Sequence, residues 1–330
     1  MGRITSTWLL VLIALVCGGG ASCPKVVQPF AAAPQPVVGP APSLEELARV
    51  VNDNSTKIRA VSTVDAKISV PGHALLPSVK ASMAWERGRH FRLIGETAFT
   101  GPEVDLGSND QLFWIWMRQT AEPAILYCHH QDFPSTELAR VFPVDPEWLI
   151  DACGLPIVDP NRQHYGPYLL ASAEGDSPRY GLYTVLQTPR GPVTKTLVID
   201  GATGFVVQQS LIDPADASGQ AFAVAIAEDF QRDALTGAFA PRKIKLHWPK
   251  QQFGLEIDLG ALRTNEAAQQ DANTWAMPQY EGATPLNLAD PRIRIADIFP
   301  PAPPPTAETT AAPPEHRTPF GLFDWLLPAN

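Results

Sequence analysis

Basic clusters are missing from this 330-residue chain, in which 25 Lys and Arg are scattered against 34 Asp and Glu for a formal net charge of -9. A nucleic-acid surface needs the opposite balance, gathered on one face, so that partner class is excluded. Catalytic signatures are missing too. No G-x-S-x-G, H-E-x-x-H, Walker loop or dinucleotide-binding glycine set occurs, and the residues imply neither an enzyme nor a cofactor. Acidic residues fall on almost every solvent-facing strand position, so no pair stands out for glycoside chemistry. Cysteine is scarce, with four in all.

Long apolar runs are also short. Trp8 to Val16 (WLLVLIALV) is nine residues, whereas a helix needs about 20 to cross a hydrocarbon core of about 30 Å. With Arg3 before it and Gly18, Gly19, Gly20, Ala21 and Ser22 after it, the run reads as a secretion signal over residues 1–23. The sequence Gly20-Ala21-Ser22-Cys23 resembles a lipobox, with Gly20 where that pattern has an apolar residue. Two outcomes stay open, lipidation of Cys23 or ordinary cleavage near Ala21. Lys25 stands two residues after Cys23, not the Asp that signals inner-membrane retention in enterobacterial-type lipoproteins. The expected address is the outer membrane facing the periplasm, or the periplasm itself if Cys23 is not lipidated.

Two cysteines remain, Cys128 and Cys153. Outside the cytoplasm they admit a disulfide worth about 3 kcal/mol, or two buried free thiols.

Composition divides the rest. Residues 24–42 hold six prolines and read as an extended stalk reaching about 55 Å at about 3.1 Å per residue. A folded body is expected over 43–292. Residues 293–330 form a Pro-rich tail ending in FGLFDWLL, residues 320–327. Membrane insertion, occupation of the domain's own cavity, docking on a protein partner and packing on the domain's exterior are the alternatives for that motif.

The body opens with a helix. Ser43 and Glu46 have capping-box spacing, and Leu44, Leu47, Val50, Val51 and Ile58 mark one face. The period then becomes two: Val64, Ala66, Ile68 and Val70 alternate with polar residues, as do Val79, Ala81, Met83 and Trp85. Leu112 to Met117 (LFWIWM) is apolar on both faces, so each face needs a cover. Asp145-Pro146-Glu147-Trp148 starts a second, short helix that Gly154 closes. A run of strands follows to Leu262, with Asp200-Gly201-Ala202-Thr203-Gly204 as a hairpin turn. The expected class is α+β: one strongly curved antiparallel sheet, an incomplete β-barrel of about eleven strands, with helices on its concave face.

Cys128-His129-His130-x-Asp132 is the densest group of potential ligands. Alternation on a strand lets at most Cys128, His130 and Asp132 converge, and no metal site is assigned there. Aromatic weight is the stronger signal. Trp85, Phe91, Trp114 and Trp116, with Ile68, Met83 and Leu93, are read as lining an apolar cavity under the first helix, with an ordinary filled core as the alternative.

The run Met83-Ala84-Trp85-Glu86-Arg87-Gly88-Arg89-His90-Phe91, followed by Gly107-Ser108-Asn109-Asp110-Gln111-Leu112-Phe113-Trp114-Ile115-Trp116, resembles the lipoprotein carrier and receptor proteins of the LolA/LolB type. The likeness spans about residues 43–260. It implies a half-barrel with a helical lid over a cavity that takes acyl chains or lipoproteins, and non-catalytic transfer or reception. Arg87 matches the carriers' lid-holding arginine, with Gly88 where the family has proline. Phe99 matches the exposed apolar residue of the receptor branch, and becomes the expected membrane or cargo contact. The lipid-anchored branch fits Cys23.

Overall fold

The computed structural model describes residues 37–71, 78–97, 101–118, 123–141, 146–153, 155–170, 177–188, 191–266 and 272–294. Cys23, Phe99, Asp145, Gly154, most of the stalk and the 320–327 motif lie outside the described residues.

The chain is packed from residue 37 onward. Val38 is buried, its N–H donating to the Gly201 carbonyl at 3.1 Å, and the Tyr180 hydroxyl donates to the Gly39 carbonyl at 2.8 Å. The end expected of the stalk therefore belongs to the body. Helix α1 is Leu44–Ser55, and Ser43 Oγ accepts from the Glu46 N–H at 3.1 Å. The Glu46 carboxylate turns instead to the Gly39 N–H at 3.3 Å, so only half of the capping box forms, and the other half fastens the incoming chain.

Strands β1 (Ala60–Ser69), β2 (Val79–Glu86), β3 (His90–Thr97), β4 (Gly101–Ser108), β5 (Leu112–Met117) and β6 (Ala124–His129) follow. Two short helices come next, α2 (Glu137–Val141) and α3 (Pro146–Ala152). The chain then forms β7 (His164–Leu170), β8 (Arg179–Thr188), β9 (Gly191–Asp200), β10 (Val206–Ile212), β11 (Ala221–Arg232), β12 (Phe239–Trp248) and β13 (Phe253–Asp258). The last strands are β14 (Arg263–Thr264) and β15 (Thr284–Asn287).

All belong to one curved, unclosed sheet in the order β15-β6-β5-β4-β3-β2-β1-β13-β12-β11-β10-β9-β8-β7, with β14 on β1. Pairing is antiparallel except between β15 and β6. Among the described residues, fifteen strands replace the expected eleven or so. Among the additions are β7, β14 and β15, whose sequences lack a clean apolar alternation. Among the described residues no helix is long and apolar enough to cross a membrane.

Register divides the sheet into two faces. Val61, Met83, Phe91 and Leu93 stand on one face, through the pairs Val61↔Trp85, Trp85↔Phe91 and Met83↔Leu93. Ile257, Ile244, Ala225, Leu211, Leu197 and Leu182 continue this inner face across the sheet. Helix α1 packs there on Leu182, Leu197 and Ile199, and α3 on the cluster containing Met83 and Trp85. Val64 departs from the simple period. A bulge between Thr63 and Ala66 turns it outward, 71 % exposed, while the Thr63 hydroxyl donates to the Leu259 carbonyl at 2.8 Å.

Cys128 and Cys153 are free, buried and in separate clusters. Burial, and then the nearby Asp132 charge, push the Cys128 thiol up to about 11. Its neighbours do not gather around it: the His130 ring bonds the Asn109 carbonyl at 2.7 Å.

Candidate functional site: the apolar inner face and its helical cover

Ile68, Met83, Trp85, Phe91 and Leu93 come together in one buried cluster, which also holds Trp148, Ile150 and Ala152 of α3 with Cys153 and Leu155. The cover is short. A seven-residue helix satisfies few of its own backbone groups, so its attachment depends on side chains from the sheet.

Arg87, just after β2, ties the segment that leaves α3 to the end of α1. Its Nε donates to the Ile58 carbonyl at 2.9 Å, one Nη to the Leu155 carbonyl at 3.2 Å, and the other Nη to the Ser55 carbonyl. Helix α1 has no basic residue in its last turn. Arg87 therefore brings, from a strand distant in sequence, the cation that the α1 C-terminal carbonyls favour. The same guanidinium reaches past α1 to the segment that leaves α3. Burial pulls its pKa down from the ordinary guanidinium value, and the Asp151 charge opposes that pull; the group remains a cation.

Gly88 meets a backbone requirement of its own. Its φ is +103°, in the region that favours glycine and that a proline ring, fixed near -65°, cannot enter. The turn from β2 to β3 is thus tight, and Arg87 still reaches both covers.

Further polar contacts fasten the cover. Lys195 of β9 meets the Asp151 carboxylate at 2.5 Å, and the Gln209 side-chain amide of β10 donates to the Asp151 carbonyl. Asn52 of α1 pairs in both directions with the Val158 backbone, at 2.9 Å each way, so α1 is tied to the chain that follows α3. Asn54 does the same with Phe239, at 2.9 and 2.7 Å.

None of Asn52, Asp151, Lys195 and Gln209 was singled out in the sequence. A signal exists for two of them: Lys195 and Gln209 occupy inner positions in strands whose neighbouring inner positions, Leu197 and Leu211, are apolar.

Trp114 and Trp116 do not join the inner cluster. Through the pairs Gly107↔Trp114 and Asp105↔Trp116 they stand on the outer face, while Phe113 and Ile115 of the same strand point inward. Strict alternation is the physical reason, and it corrects their assignment to the cavity.

The outer face carries a cover of its own. Residues 272–287 lie against β3 to β6, with Tyr280 stacked on Trp116 at 3.7 Å and Trp275 on His90 at 5.2 Å. At its centre is Asp105, with no exposed side-chain surface, accepting from Arg92 at 2.8 and 3.3 Å, from the Trp114 indole at 3.2 Å and from the Tyr280 hydroxyl at 2.8 Å. Arg92 also donates to the Thr274 carbonyl at 3.0 Å, and Asn109 to the Trp275 carbonyl at 3.0 Å. Gly107 is required by the close approach of Trp114, since a Cβ there would lie 1.9 Å from the indole.

No family model and no curated protein matches this chain. Among solved structures it is similar to an outer-membrane lipoprotein-sorting protein domain from Vibrio parahaemolyticus, at 9 % identity and TM-score 0.46, covering 71 % of this chain and 97 % of that one. It is also similar to a DUF1329 family protein from Desulfovibrio piger, at 10 % identity and TM-score 0.45, covering 70 % and 97 %. A third likeness is to a LolA superfamily protein from Nitrosomonas europaea, at 12 % identity and TM-score 0.43, again covering 70 % and 97 %. At this identity and TM-score the similarity to these LolA-like and lipoprotein-sorting structures assigns no ligand, partner or activity to the chain.

Proposed function

We propose that this chain is a lipid-anchored envelope protein that binds acyl chains, free or on lipoproteins, against its inner sheet face and passes or receives them without covalent chemistry. The observation that carries this reading is Arg87, one cation bonded to carbonyls at Ser55, Ile58 and Leu155, so that the end of α1 and the exit of α3 share one polar hold. Shifting α3 would open the buried cluster that its Trp148, Ile150 and Ala152 share with Met83, Trp85, Phe91 and Leu93. An acyl chain laid there gains about 0.8 kcal/mol per buried methylene, offset by the work of displacing the helix.

Cys23 is the tether in this reading, and Phe99 the residue that touches membrane or cargo. Outer-membrane attachment facing the periplasm, or release into the periplasm without lipidation, follows from the same residues.

The test is mass spectrometry of the purified full chain, followed by displacement of a fluorescent fatty acid from delipidated protein. Co-purifying acylated material and saturable displacement are expected. Neither appearing would overturn the reading and leave the second one, an envelope scaffold with a filled core. One observation favours that alternative: the five inner-face residues are each at most 9 % exposed beneath Trp148 and Ile150.

A further inference from the structure

Two cations share one carboxylate where α3 meets the sheet. Lys195 of β9 stands opposite Leu211 of β10, a member of the apolar cluster that also holds Trp148 and Ile150. Its next neighbour on the same face, Leu197, belongs instead to the cluster that includes Leu47 and Val51 of α1. An ammonium group thus stands between two apolar clusters, its side chain 13 % exposed. Among the described residues it has one acceptor, Asp151 Oδ2 at 2.5 Å. Arg87 is the second cation. Its three bonds all go to neutral carbonyls, and the carboxylate whose charge acts on it is the same Asp151.

Asp151 belongs to α3, whereas Lys195 belongs to the sheet. Shifting α3, as the proposed function requires, therefore parts Lys195 from its carboxylate. A cation left unpaired on an apolar surface costs free energy, and a hydrocarbon or an ester would leave it so. We infer that the preferred ligand is a free fatty acid, whose carboxylate takes the place of Asp151 on Lys195. Lys195 is then the specificity-determining residue, and Arg87 adds the second positive charge that Asp151 alone now answers. This inference rests on acyl binding at the inner face, and selects free acids over acyl groups held in ester or amide linkage.

Three ligands of equal acyl length test it on the delipidated full chain: myristate, methyl myristate and myristoyl lysophosphatidylglycerol, each displacing the neutral fluorophore N-phenylnaphthylamine. Myristate should bind about tenfold or more tighter than methyl myristate, the effect of one hydrogen bond between charged groups. Lys195→Met should bring that ratio to within about twofold of unity. Lys195→Arg keeps the charge and should retain most of the ratio. A ratio of two affinities on one protein cancels whatever a variant does to the cover or to stability.

A ratio near unity on the natural chain, or one undiminished in Lys195→Met, would overturn the inference while acyl binding stands. The lysophospholipid separates a carboxylate from a lipid phosphate at equal charge. Affinity at or below that of myristate supports the free acid, and tighter binding would overturn it in favour of a phosphate head. Displacement by none of the three would overturn both readings.

Discussion

The two faces of this sheet are covered in opposite ways. On the inner face, α3 packs with apolar side chains and is held near its C-terminal end by polar groups reaching backbone carbonyls and one carboxylate: Arg87 to Leu155, Gln209 and Lys195 to Asp151. On the outer face, the 272–287 segment is keyed by a fully buried carboxylate, Asp105, with an ion pair and two stacked aromatic pairs around it. A cover held at its edges over apolar surface can lift at the loss of a few hydrogen bonds, because the surface beneath can bind something else apolar. A cover keyed by a buried charge cannot, because lifting it strands that charge's partners. Under the proposed function the inner cover is the one that moves and the outer one the one that stays.

Breaking the outer key should have the largest effect. Asp105→Ala leaves Arg92 without its buried partner, and a loss of about 3–5 kcal/mol in chemical denaturation is expected, with fatty-acid uptake by the folded fraction unchanged. A loss under about 1 kcal/mol would erase the contrast between the covers. Gly107→Ala should follow at about 1–3 kcal/mol, since the new methyl group displaces the Trp114 indole.

Alkaline pH sharpens the same contrast. Burial first, and then the Asp105 charge, raise the Tyr280 pKa above its ordinary value. A folded-state pKa above the unfolded one favours the protonated folded form. The stabilisation is therefore complete below the unfolded value of about 10 and is lost as pH rises beyond it. Protection factors of residues 272–287, taken relative to the intrinsic base-catalysed rate, should fall above that pH, and Tyr280→Phe should remove that fall.

The inner cover should respond to milder changes. Arg87→Leu is expected to lower stability by about 1–3 kcal/mol and to speed fatty-acid entry in stopped-flow fluorescence. Entry at the natural rate would show that the cover does not control access. Lys195→Met, at the more exposed Asp151 pair, should shift stability by about 1 kcal/mol or less while raising the entry rate more modestly.

Much of this contrast was legible in the sequence, though unevenly. The α1 spacing, the strands from Val79 to Met117 and the hairpins after Leu182 follow directly from apolar periodicity, because each forms between neighbours in the chain. Arg87 emerged from the family likeness, and its three carbonyl partners only from the fold. Trp114 and Trp116 were placed on the wrong face although alternation with Phe113 and Ile115 already separates them; aromatic content outweighed parity.

Asp105 reads as solvent-facing between Val104 and Leu106. Nothing nearby in sequence reveals that Tyr280, 175 residues later, buries it. For the same reason β15 escaped notice: its four residues, Thr-Pro-Leu-Asn, become a strand only by lying parallel to β6. Val64 was misplaced by a bulge that apolar period alone does not announce.

The reciprocal bonds between Asn52 and Val158, together with the shared grip of Arg87, join α1 to the exit of α3, and this joining bears on chain length. Two panels that open together present a single threshold in place of a graded series of small movements. A threshold that keeps the protein closed about 99 % of the time would weaken apparent affinity about 100-fold, or by about 2.7 kcal/mol. About three or four extra methylenes, at about 0.8 kcal/mol each, would offset it. Under the proposed function such a doorway would act as a ruler: short chains would fail to hold it open, and longer ones would bind in steps set by each added carbon.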